Sequence, residues 1–199
     1  AWSGRGTRPK AATGNYEPKV IAPNMAVVTA GHSALGVGLR IANTTRGSVH
    51  VVVDLVGVQF ADSPIGLRFT PRATPTRILD TRSSSGLTNT SGITAGSSTV
   101  TADSITHLKI AGDTVTTPVS GAPTTVPASV TAVAIDVTAT GETDSGYVTT
   151  YADGTQRPIN SSTNFDANTT ATGYQIVPVR NDGKIALYTH IDSHSGTAA

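Results

Sequence analysis

Val130-Thr-Ala-Val-Ala-Ile-Asp-Val-Thr-Ala-Thr140 sets Val130, Ala132 and Ala134 on one side against Val133, Ile135 and Val137 on the other. A period of two is the side-chain repeat of an extended strand, and nothing in the segment returns at the 3.6-residue spacing of a helix. The stretch stops at Gly141. A turn over Glu142 to Ser145 then leads into Gly146-Tyr-Val-Thr-Thr-Tyr151, predicted as the next strand. Further on, Tyr174-Gln-Ile-Val-Pro-Val179 and Lys184-Ile-Ala-Leu-Tyr188 flank Asn181-Asp-Gly183, which predicts a hairpin with Asp-Gly as its turn.

Upstream, Val100 to Ile110 alternates moderately. Residues 83–98 and 112–127 are rich in Ser, Thr, Gly and Pro and read as loops. In the N-terminal part, residues 1–16 look irregular. Val20-Ile21, Met25-Ala-Val-Val28 and Ala34 to Ala42 read as short strands, with Asn43 to Gly47 as a turn. Val49-His-Val-Val-Val-Asp-Leu-Val-Gly-Val58 reads as the strongest strand of the chain, and its near-continuous apolar character predicts burial. No helical periodicity is sustained anywhere. The expectation is an all-β fold, an antiparallel β-sandwich of jelly-roll or immunoglobulin-like type.

Composition agrees with strands and turns. Only 14% of the 199 residues are charged, against a usual share of roughly 25%. The net charge is +1, with no basic run to meet phosphates, so nucleic acid is not an expected partner. There are no cysteines, which excludes disulfides and thiolate metal sites. No apolar stretch approaches the roughly 20 residues of a membrane-spanning helix, so membrane insertion is not expected. The start at Ala1 fits signal cleavage, loss of an initiator methionine, or a piece of a longer chain.

The two parts of the chain resemble each other. Gly6-Thr-Arg-Pro9 matches Gly154-Thr-Gln-Arg-Pro158, Thr13-Gly-Asn-Tyr16 matches Ser162-Thr-Asn-Phe165, and Met25-Ala-Val-Val28 matches Tyr174-Gln-Ile-Val177. At that spacing the counterpart of Val49–Val58 falls at the C-terminus or past it. The expected organisation is a partial β repeat over 1–60 ending in a buried strand, and a sandwich unit over 61–199 lacking its closing strand. A unit without its closing strand exposes apolar surface and unpaired backbone. The missing strand could come from the same chain or from a neighbouring copy, or the chain could be cut from a longer array.

Between the two parts lies Phe69-Thr-Pro-Arg-Ala-Thr-Pro-Thr-Arg-Ile-Leu-Asp-Thr-Arg82. Pro71 and Pro75 forbid helix and force an extended path. Arg77, Asp80 and Arg82 around Ile78-Leu79 read as a structural ion-pair set, with Asp80 bridging two guanidiniums, in preference to a ligand site. This motif, with Val126 to Gly141, Gly146 to Tyr151, Arg157-Pro158, Asn164-Phe165 and Val177-Pro-Val179, resembles a β-repeat family. That family occurs in extracellular proteins of actinobacteria and some of their phages, where the repeat closes with a strand like Val51 to Phe60. The resemblance implies an extracellular, cell-surface or virion module without enzymatic activity. The order differs here, because the closing strand comes first.

Catalytic motifs are not visible: there is no Gly-x-Ser-x-Gly elbow, metalloprotease helix or phosphate loop. Asp54 and Asp136 sit singly in apolar strands and form no acid–base pair. His190, His194 and Asp192 could be metal ligands, though a solvated tail is the preferred reading. The turn residues Asp144, Asp166, Asn168, Asn181 and Asp182 do not match a calcium loop. Trp2, Tyr16, Tyr147, Tyr151, Tyr174 and Tyr188 could stack on sugars, with packing the preferred use. No catalytic residue, metal or other cofactor is expected. The expected function is a structural β module that assembles with other copies of itself. Val49, Val51, Val53, Leu55, Val56 and Val58 form the assembly strand in that reading. The alternative is a module that binds glycan or cell wall.

Overall fold

The computed structural model describes residues 1, 7–10, 12, 14–16, 24–28, 31–33, 36–44, 47–55, 69–72, 75–82, 88–89, 100–116, 123–180 and 182–192. The chain divides into two compact units, Ala1–Asp54 and Leu55–Ala199. The described residues contain strands and no helix, so the fold is all-β and its sheets are antiparallel. The expected strand Val20-Ile21 and the positions Trp2, Val56, Val58, Asn181 and His194 lie outside the described residues.

In the first unit, β1 (Gly31–Ser33) pairs with β2 (Gly36–Gly38). Met25 to Val28 forms no strand, and Val27 is exposed. The sequence match between these residues and Tyr174 to Val177 is therefore not a match of structure. The second copy lies in an eight-residue ladder. The first has no neighbouring strand among the described residues, and an apolar tetrapeptide without a partner does not hold an extended ladder alone.

The second unit carries β3 (Thr88–Asn89), β4 (Ser104–Lys109), β5 (Thr114–Thr116), β6 (Pro123–Thr125), β7 (Ala132–Ala139), β8 (Gly146–Ala152), β9 (Thr163–Phe165), β10 (Ala171–Pro178) and β11 (Lys184–Ile191). They form a four-stranded sheet in the order β4-β11-β8-β9, a two-stranded sheet β10-β7, and a small sheet β3-β5-β6. The segments 83–98 and 112–127, expected as loops, thus contain β3, β5 and β6. Their short Thr-rich strands are held by cross-strand pairs such as the Thr114 and Thr125 hydroxyls, 2.8 Å apart, and by burial of Val115.

Apolar side chains from the two larger sheets meet in one core. Leu108 of β4, Val148 of β8, Phe165 of β9, Val177 of β10, and Ile185 and Leu187 of β11 are its buried members. The expected hairpin between Tyr174–Val179 and Lys184–Tyr188 does not form. β10 pairs with β7, whereas β11 pairs with both β4 and β8. A strand has two edges, and both edges of β11 are taken, so the Asp-Gly turn carries the chain from one sheet to the other. Gly183 makes this corner with φ +77°, a conformation that suits glycine. Its carbonyl accepts from the Ile110 and Ala111 amides at 2.8 and 3.0 Å, which pins the corner to the end of β4.

Candidate functional site

Three places bear on the residues singled out in the sequence. In the first, Asp80 is buried while both arginines are largely solvent-facing. Arg77 Nη1 donates to Asp80 Oδ2 at 2.8 Å, Arg82 Nη2 to the same oxygen at 2.7 Å, and Arg82 Nε to Oδ1 at 2.9 Å. The backbone N–H of Arg82 adds a bond to Oδ1 at 3.1 Å. All four donors are directed at one carboxylate, which holds it well below the usual carboxylate range, the side-chain bond from Arg82 being the largest cause. Ile78 and Leu79, between these charges, pack against the core. The set braces the segment 77–82 on itself, while Ile78 and Leu79 hold it against the core.

Asp80→Asn is expected to cost about 1–3 kcal/mol, because a buried acceptor of charged donors is lost. Chemical denaturation of both chains measures this. Since folding lowers the pKa of Asp80, its contribution is complete above the unfolded value near 3.8 and is lost as pH falls through the lower folded value. The difference between wild type and variant should therefore shrink below pH about 4.

The second place is the expected assembly strand. Val49, Val51, Val53 and Leu55 are described, and they lie in no ladder. Val51 is 56% exposed, Val52 85%, Val53 60% and Leu55 82%. This corrects the expectation of a buried strand. The composition is that of a core strand, but among the described residues no backbone edge pairs with it. A strand-like sequence is buried only where a neighbour supplies hydrogen bonds and a covering face.

The third place was seen in the sequence only as scattered residues. Tyr188 and His190 share one face of β11, and Tyr147 of β8 lies opposite His190. Tyr147 stands with its ring centroid 5.0 Å from the His190 ring and 6.3 Å from the Tyr188 ring. The Arg157 guanidinium lies over the Tyr188 ring at 3.7 Å from its centroid. Asp103, with φ 53°, sits at the turn into β4. It accepts from the Tyr188 hydroxyl at 2.5 Å and lies 2.7 Å from His190 Nδ1. His190 Nε2 is 3.3 Å from Asp192, whose other oxygen accepts from the Ser145 hydroxyl at 3.1 Å. Sequence reading placed His190 and Asp192 with a mobile tail. Pairing of β11 with β8 and β4 is what fixes them, and Asp103 was missed because it is 87 residues away.

The cluster is electrostatically coupled. The Tyr188 hydroxyl, and after it His190, holds Asp103 below its ordinary value. Bonding to Asp103 raises Tyr188. The bond to Asp103 also raises His190 above 6.5, outweighing its partial desolvation. A group raised by folding stabilises fully below its unfolded pKa and loses that contribution as pH rises through the folded one. Asp103, lowered by folding, contributes above 3.8 and loses its part as pH falls through its folded value. The pair is therefore complete between about pH 4 and 6.5. Titration of the His190 ring by NMR should give a pKa above 6.5, falling back toward 6.5 in Asp103→Asn.

A second His–Asp contact, His107 Nδ1 to Asp153 Oδ1 at 2.7 Å, lies on the same sheet. Tyr151 is buried, and Tyr16 bonds the Asn43 side chain at 2.9 Å. Among the described residues no group of three or more His, Cys, Asp or Glu is arranged to hold a metal ion. Two of the turn residues are engaged by backbone bonds: the Asn168 amide donates to the Glu142 carbonyl across 26 residues, and the Asp166 carbonyl accepts from the Thr169 amide. The chain matches no protein-family model, no curated protein and no solved structure.

Proposed function

We propose that this protein is a structural β module that assembles with further copies of itself by β-strand donation. The supporting observation is the run Val49 to Leu55, which has the composition of a core strand yet lies exposed and, among the described residues, in no ladder. Exposed large apolar residues in sequence mark an association site, and an unpaired backbone beside them favours addition to a sheet edge. In this reading the second unit is a β-sandwich awaiting a closing strand, and the setting is a cell surface, filament or virion. Donation from chain to chain builds a head-to-tail polymer if the rotation does not close. Sedimentation velocity over a range of concentrations tests this: assembly should grow with concentration, and a monomer at every concentration would sink it.

A second reading draws on Tyr147, Tyr188, His190 and Arg157. An aromatic surface interleaved with hydrogen-bonding side chains is the chemistry that holds sugar rings, so the module also reads as a glycan or cell-wall binder. A cell-wall pull-down comparing wild type with Tyr147→Ala separates the two readings, since strand donation does not involve this residue.

A further inference from the structure

The two-stranded sheet β10-β7 leaves one edge of each strand open among the described residues, and the two are not equally finished. On β10 the core-facing residues Gln175 and Val177 are buried, Val177 to 2% exposure. On β7 the core-facing residues Val133, Ile135 and Val137 are only partly covered. Among the described residues the core is thus less fully covered along β7 than at Gln175 and Val177 of β10. A strand laid beside β7 would complete both the hydrogen-bond ladder and the cover over these three residues.

Resting on the strand-donation reading above, we infer that the open edge of β7 is the acceptor, and that its occupant is Val49 to Leu55 of a second copy of this chain. The lengths agree, eight residues in β7 against seven in the donor. So does the pattern. The odd positions from Val49 to Leu55 are all apolar and suit the core face, while His50 and Asp54 fall on the outer face. All strand pairs described in the chain are antiparallel. An antiparallel register with Val51 opposite Ile135 also sets Val49 opposite Val137 and Val53 opposite Val133 on the core side. The same register sets His50 opposite Asp136 on the outer face, an imidazole facing a carboxylate. Among the described residues the donor run is exposed and in no ladder, so its apolar face is available to a second copy.

The absence of cysteine makes the register directly readable. His50→Cys and Asp136→Cys each replace an exposed residue, so the fold should tolerate both. Mixed in equal amounts under mild oxidation, the two single-cysteine chains should give a disulfide-linked dimer containing one of each. Tyr174→Cys on β10 and Ile105→Cys on β4 serve as alternative acceptors in parallel mixtures with His50→Cys. Linkage to either of these in place of Asp136→Cys would overturn the β7 assignment and leave strand donation standing. No linkage in any mixture, together with a monomer at every concentration, would overturn strand donation itself. A chain carrying both His50→Cys and Asp136→Cys that closes on itself at monomer mass in dilute solution would overturn the second copy as occupant.

Discussion

If the chain assembles by strand donation as proposed, Val51→Lys combined with Val53→Lys should weaken self-association on the order of 100-fold or more. Two residues apart, the two side chains would share one side of an extended strand, and both are more than half exposed. Covering a valine fully is worth about 1.5–3 kcal/mol. Since both are already about four-tenths covered, losing the two removes about 2–3.5 kcal/mol, and each tenfold in affinity corresponds to about 1.4 kcal/mol. The lysine ammonium adds a desolvation penalty wherever the segment would face a core. Because neither valine is buried in the single chain, the stability of the second unit should be unchanged. Sedimentation velocity and thermal unfolding on the same samples make the comparison. Association of the double variant at wild-type strength would remove the donor strand from the assembly.

Ile185→Ala should destabilise the second unit by about 2–5 kcal/mol, the range for truncating a large buried aliphatic side chain. Ile185 is 0% exposed and sits in β11, between Leu108 of β4 and Ala152 of β8 in the ladder. β11 is held on both edges and Ile185 lies within the packed core cluster, so little can move in to close the cavity. Ile176→Ala, at 40% exposure on the outer face of β10, is the contrasting substitution and should cost under about 1 kcal/mol. Urea unfolding followed by far-ultraviolet circular dichroism measures both. Equal costs at the two positions would mean that the core does not lie between the sheets.

The two substitutions separate assembly from folding. The valine run is rich in apolar side chains yet exposed among the described residues, whereas Ile185 is buried in the core of the second unit. The segment around Asp80 stands between them. Its arginines reach solvent, yet its carboxylate and the adjacent Ile78 and Leu79 belong to the second unit.

The sequence by itself determined the fold class. Alternation over Val130–Thr140 has no helical solution, and it appears as β7, paired to β10 over its full length. It also determined the Arg77–Asp80–Arg82 set, because residues two and three apart on an extended path can reach one carboxylate without help from distant elements. Only the tertiary structure decided which strands pair. Asp-Gly specifies a tight turn but does not say whether the next strand returns to the same sheet. Here β11 is already held on both edges, and the turn became a corner. Tertiary structure likewise decided that Val49–Leu55 lies exposed, since burial belongs to a strand and its neighbour together. It also brought Asp103 to Tyr188 and His190 by pairing β4 with β11, across a separation in sequence that no local pattern encodes.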